Sequence, residues 1–154
     1  VTHLARSSEA VPKAHAALSV LIGEDDQDLA YIYTTYLRHA GHTVRCAING
    51  AEVLEALAAE LPDILLLDLG LPDISGQETL SRLRADDATS AVPVVIFTNL
   101  ELDDRGAASL GRLAVEAIIL KVSMPPPDLA GWLGRWSSGR ALPVRHVRRE
   151  ELTN

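Results

Sequence analysis

Cysteine is almost missing from this chain: the single Cys46 excludes an intramolecular disulfide framework and any multi-cysteine zinc site, and reads as a small core residue. Lysine is nearly as scarce. Of 14 basic residues only Lys13 and Lys121 are lysines, so arginine is used almost wherever a cation is needed and a lysine inside the domain body stands out. The histidines (His3, His15, His39, His42, His146) show neither HxH nor HExxH spacing, so no histidine metal site is expected. No apolar run approaches the ~18 residues needed to span a bilayer, and the N-terminus lacks the apolar core of a signal peptide. A cytoplasmic protein without a membrane partner is expected. Positive charge is the minority: 14 basic against 21 acidic residues give a net charge of -7, which disfavours binding to a phosphate backbone and excludes nucleic acid as an expected partner.

What is present describes one folded domain. Hydrophobic residues make up 47% and charged residues 23% of 154 residues, close to globular averages and enough for one core. Residues 1–17 mix Ser, Pro, Ala and charge without periodicity and read as a flexible N-terminal leader. From residue 18, short apolar runs at 18–23, 44–47, 64–67, 92–97 and 117–120 predict strands. Several are apolar at consecutive positions, as parallel strands buried on both faces require. Helices are predicted between them at about 26–40, 51–61, 75–85, 103–113 and 128–136. Gly41 and Pro62 serve as stops, Asn49 as a cap, and Leu61 lies on the buried face of the second helix. The fourth is weakened by Gly106 and Gly111, and the fifth buries Leu129, Trp132, Leu133 and Trp136. Strict alternation implies βαβ units and an α/β, flavodoxin-like (βα)5 doubly wound parallel sheet with strand order 2-1-3-4-5. The domain is placed at 18–138, with a C-terminal arm or tail at 139–154.

In such a sheet ligands bind beyond the carboxyl ends of the strands, at the switch point between strands 1 and 3. Strand 1 ends in Glu24, Asp25 and Asp26, strand 3 in Asp68, strand 4 in Thr98 and strand 5 in Lys121. Taken singly, each has an ordinary reading: acids after a strand favour the positive end of a helix, and a lone Asp or Thr is often a cap or turn residue. Taken together they do not. Several carboxylates at one edge repel one another, and a divalent cation such as Mg²⁺, which takes oxygen ligands and keeps waters for a phosphate to displace, resolves that repulsion. Flavin mononucleotide would want a Ser, Thr and Gly cradle after strand 1, where Glu24-Asp25-Asp26 would repel its phosphate.

The stretch from Leu18 to about Ser138 resembles the receiver domain of two-component response regulators, in its CheY-like, stand-alone form. The resemblance rests on the acidic pair Glu24-Asp25, on LLLDLGLPDISG with Asp68, Pro72 and Gly76 at the family's offsets, on Thr98 and on Lys121, at the family's intervals. It implies that Asp68 is the phosphoacceptor, taking a phosphoryl group from a phosphohistidine on a sensor histidine kinase or from a small acyl phosphate. It implies Mg²⁺ held by Asp25, Asp68 and the Gly70 carbonyl, with Glu24 acting mainly through water. Lys121 pairs with one phosphoryl oxygen, and Thr98 donates its hydroxyl to another, drawing the following loop inward. On this reading the protein is a phosphoprotein but not an enzyme beyond its own phosphorylation and dephosphorylation, and helix 4 is the candidate moving element.

Three positions depart from the family's pattern. Ile118 stands where Tyr or Phe is usual, Asn99 follows the threonine in place of Ala or Gly, and Val122 follows the lysine in place of proline. They put an aromatic switch in doubt, and output is expected through the Thr98 loop and the packing of helices 4 and 5. Trp136 with Leu142, Pro143 and Val144 is similar to the arm of stand-alone regulators that partner bacterial phytochromes. That likeness implies a homodimer through helix 5 and the arm, and a phytochrome-type photoreceptor kinase as partner. Two other functions remain open: a degenerate receiver acting as a phosphorylation-independent interaction module, motivated by Ile118 and Asn99, and a Mg²⁺-dependent phosphohydrolase, disfavoured by glycine at position 70 where a second aspartate would be needed.

Overall fold

The computed structural model describes residues 17–139 and the short strand at 146–147. The leader before residue 17 and the tail residues Leu142, Pro143 and Val144 lie outside the described residues. Strands β1 (Ser19–Gly23), β2 (Thr43–Ala47), β3 (Ile64–Leu67), β4 (Val94–Thr98) and β5 (Ala117–Leu120) alternate with helices α1 (Gln27–His39), α2 (Gly50–Ala59), α3 (Gly76–Ala85), α4 (Asp104–Gly111) and α5 (Pro126–Ser137). The five strands are parallel in the order 2-1-3-4-5, the doubly wound arrangement expected from the alternation. One element was not foreseen: β6 (His146–Val147), from the segment read as a tail, pairs parallel with β5 and extends the sheet by one strand.

Side chains along a strand alternate between faces, and two separate cores follow from that period of two. Val20, Ile22, Ile64, Leu66, Val95, Phe97 and Ile119 pack against Tyr33 and Leu37 of α1 and Leu129, Trp132 and Leu133 of α5. Their neighbours Leu21, Leu65, Leu67, Val94, Ile96 and Ile118 pack against Val53 and Leu57 of α2, Leu80 and Leu83 of α3 and Leu110 of α4. β3 and β4 are buried throughout, which is why they read as unbroken apolar runs.

Several boundaries differ from those expected, for local reasons. β4 starts at Val94, after Pro93, and runs on to include Thr98. α2 stops at Ala59, so Leu61 falls beyond the helix and is 51% exposed instead of facing the core. α5 begins at Pro126, because proline at the first helical positions lacks only an N–H that would have no partner there. Cys46 is exposed on the edge strand β2, its thiol 3.0 Å from the Thr34 hydroxyl, and is not a core residue. Trp132 is buried and Trp136 partly buried against the same cluster, so both have packing partners within the chain. Among the described residues no helix is long and apolar enough to cross a membrane.

Candidate functional site

Each functional side chain stands where a strand runs out. β1 pairs with β3 so that Gly23 lies opposite Leu67, which brings the residues that follow, Glu24 and Asp68, to the same level of the sheet edge. β4 pairs with β5 so that Thr98 lies opposite Leu120, with Lys121 next. Asp26 leaves the cluster to cap α1, its Oδ1 accepting the N–H groups of Asp28 at 3.0 Å and Leu29 at 3.1 Å. Gly76 shapes the loop after Asp68: a Cβ there would lie 2.2 Å from the Asp68 carbonyl oxygen, so only glycine lets the start of α3 come this close. Asp73, farther along that loop, accepts the Gly50 and Ala51 N–H groups at 2.8 and 2.9 Å and pins it to the start of α2.

The loops enclose a cleft of about 340 Å³ lined by acids on one side and Thr98, Asn99 and Lys121 on the other. Asp68 is its hub. Its Oδ1 accepts the Thr98 hydroxyl at 2.8 Å and the Gly70 N–H at 3.1 Å, and its Oδ2 accepts the Lys121 ammonium at 2.8 Å. Lys121 also donates to Glu24 Oε2, forming a direct ion pair. Glu24, Asp25 and Asp68 each place an oxygen within 4.8 Å of the others; Glu24 and Asp68 are buried and Asp25 is exposed. Such a set of hard oxygen donors, only partly neutralised by one lysine, suits a divalent cation of the Mg²⁺ kind.

Burial alone would push the Asp68 carboxyl up, but the hydrogen bonds from Lys121, Gly70 and Thr98 reverse this and hold it below the usual carboxylate range. It is therefore ionised at neutral pH. For Glu24 burial prevails: its pKa is raised to about 7 despite the pull of Lys121, with Asp68 adding to the rise. Burial would lower Lys121, yet its bonds to Asp68 and Glu24 carry it above the ordinary lysine value.

Glu24, Asp25, Asp68, Thr98 and Lys121, all named from sequence, are thus brought together, with Gly70 at the cleft wall. Ile118, at the position of the usual aromatic, is 2% exposed and packed in the core under α2, α3 and α4. Missed was a bond between two positions that had been singled out separately: the Val122 N–H donates to Asn99 Oδ1 at 3.2 Å. Nothing in the sequence pairs them, because only the β4–β5 register sets them side by side.

Comparison with known proteins agrees with this fold. The sequence model of the response regulator receiver domain matches residues 20–128. The chain is 38% identical over 82 residues to RpaA of Synechocystis sp., a DNA-binding dual master transcriptional regulator, covering 53% of this chain and 34% of that protein. It is 35% identical over 79 residues to the protein PilH of Pseudomonas aeruginosa, covering 51% of this chain and 65% of PilH. The chain therefore spans less than two thirds of the length of these curated relatives. Among solved structures, the N-terminal domain of a response regulator receiver protein from Methanoculleus marisnigri JR1 superposes with a TM-score of 0.65 at 34% identity, over 69% of this chain and 85% of that one. The chemotaxis response regulator CheY4 of Vibrio cholerae shares the fold with a TM-score of 0.70 at 21% identity, over 78% of this chain and 98% of that one.

Proposed function

The chain belongs to the receiver-domain family of two-component response regulators, a family of signalling modules, and on that premise we propose that it accepts a phosphoryl group on Asp68 and passes the signal on by protein contact. The observation that carries this is the state of Asp68: a buried carboxylate kept ionised by a lysine, a hydroxyl and a backbone N–H, and lining a cleft with ample room for a phosphoryl group.

An Asp68 oxygen attacks phosphorus as the bond from phosphorus to the donor breaks. The product is an aspartyl phosphate, with acetate released from acetyl phosphate, or neutral imidazole from a phosphohistidine protonated on its other ring nitrogen. Lys121 and Thr98 already touch the nucleophile, so both are placed to exchange a carboxylate oxygen for a phosphoryl oxygen. Asp25, Asp68 and the Gly70 carbonyl, with Glu24 beside them, would hold Mg²⁺, which when bound neutralises charge building on the phosphoryl oxygens. The donor is a sensor histidine kinase and the setting is cytoplasmic. A homodimer through α5 and the arm, with a phytochrome-type kinase as donor, rests only on the likeness of Trp136, Leu142 and Pro143 to that group's arm.

Incubation with Mg²⁺ and acetyl phosphate, followed by intact mass, tests the reading. One added phosphoryl group is expected, lost in Asp68→Asn. A parent chain that takes up no phosphate would point to the interaction module, and rapid turnover without an adduct to the phosphohydrolase.

A further inference from the structure

Thr98 and Lys121 are joined at two levels. At their tips the Asp68 carboxylate bridges them, one oxygen to the hydroxyl and the other to the ammonium, both at 2.8 Å. One residue farther along each chain, the Asn99 carboxamide accepts the Val122 N–H at 3.2 Å and ties the two backbones together. The result is a closed ring running from Asp68 through Thr98 and Asn99 to Val122, Lys121 and back to Asp68.

The two bridges differ in what phosphorylation does to them. The inner one uses the carboxylate whose negative charge the reaction moves out onto the phosphoryl oxygens when one of its two oxygens bonds to phosphorus, so its contacts are exchanged for contacts with the phosphoryl group. The outer one involves no reacting atom and persists. It also depends on both residues being what they are: alanine at 99 removes the acceptor, and proline at 122 removes the donor. The tie reaches beyond the cleft. Val122 lies in the 3₁₀ turn Lys121–Ser123, and the next residue's carbonyl, that of Met124, accepts the buried Tyr33 hydroxyl of α1 at 2.9 Å. On the other side Thr98 Oγ1 accepts the Leu100 N–H at 3.2 Å, so the loop that carries Asn99 is itself closed on Thr98.

We propose that Asn99 is a positioning residue for phosphoryl transfer, holding the Thr98 loop and the Lys121 turn as one unit through the Val122 N–H while the Asp68 carboxylate changes partners. The proposal rests on the phosphoacceptor reading of Asp68. Holding two groups at fixed separation acts on the bound, reacting complex more than on capture of the donor. Loss of the tie should therefore lower the maximal rate and leave the half-saturating donor concentration nearly unchanged.

The test is the rate of adduct formation on the full chain with Mg²⁺ and varied acetyl phosphate. Asn99→Ala and Val122→Pro should each slow the maximal rate on the order of 10-fold, and the double variant should be no slower than either. Val122→Ala, which keeps the N–H, should restore the parent rate. Should Val122→Pro fail to fold, Asn99→Ala carries the test, with faster hydrogen exchange at the Val122 amide as its structural signature. An unchanged maximal rate in Asn99→Ala, or slowing that multiplies in the double variant, overturns the tie while leaving the phosphoacceptor reading intact. No adduct on the parent chain overturns both.

Discussion

Two shielded cations sit at opposite ends of the sheet, and they are held in opposite ways. At the carboxyl edge Lys121 is surrounded by the carboxylates of Glu24 and Asp68. At the other end Arg84 of α3 spreads its guanidinium over four backbone carbonyls, those of Leu113, Ser90, Val92 and Ala114, at 2.6 to 3.2 Å. Burial lowers the Arg84 pKa from its ordinary value, with Glu116 opposing, and dipoles alone do not raise it again. Lys121, with acids for partners, ends above its ordinary value. A cation gripped by carbonyls acts as a clamp on the loops joining α3 to β4 and α4 to β5. A cation gripped by acids can trade one anion for another, which is what receipt of a phosphate requires.

The contrast is sharpest in paired removals. Arg84→Met removes the donor from four carbonyls, two of them partly buried, and should lower unfolding free energy by about 1–3 kcal/mol, measured by urea melts, with the same loss in the presence and absence of Mg²⁺. Lys121→Met should suppress the phosphate adduct, and its effect on stability should vary strongly with Mg²⁺ and pH, because a proton or a divalent cation can neutralise the acids left behind. A Mg²⁺-dependent cost at Arg84, or a Mg²⁺-independent one at Lys121, would erase the distinction.

Glu24 sets the next effect. Its folded-state pKa, raised to about 7, lies above the unfolded value, so between the two the folded chain binds more protons than the unfolded one. The stability contributed by the protonated form is complete below the unfolded value and is lost as pH rises through about 7. Without divalent cations, melts should show stability from this source declining across that window. Glu24→Gln should flatten the decline, and Mg²⁺ should offset it on the alkaline side. A parent chain whose pH slope equals that of Glu24→Gln would remove the burial argument.

The smallest effect belongs to a buried hydroxyl. Ser123 Oγ, in the turn after Lys121, is buried with no hydrogen-bond partner among the described residues. Ser123→Ala should therefore leave stability unchanged or raise it by about 1 kcal/mol, whereas truncating either cation has a cost. A loss of stability on that substitution would show that the hydroxyl has a partner after all.

How far this was legible in the chain differs by feature. The strands were readable because β3 and β4 are covered on both faces, and the only polar residue in either is Thr98 at the end of β4, too late to blur the run. The cleft was readable because parallel strands in a doubly wound sheet deliver their carboxyl ends to one edge, so Asp68, Thr98 and Lys121 could be brought together by counting. The exposure of Leu61 and Cys46 was not, since a helix that stops two residues early and a strand at the sheet edge are outcomes of packing, invisible to periodicity. β6 was missed for a related reason: a two-residue strand has no period of its own and exists only because β5 offers an edge. The Arg84 clamp draws on carbonyls from two separate loops, and carbonyls are the same in every residue.

By itself, then, the sequence determined the fold class, the strand order and the set of side chains at the reactive edge, because these follow from hydrophobic period and from which residue ends each strand. Tertiary structure alone decided which of those side chains touch. It paired Lys121 directly with Glu24, joined Asn99 to Val122, and sent Asp26 away to cap α1. Those choices depend on register and on separations of a few ångströms between chain segments far apart in sequence, and no local pattern encodes such distances.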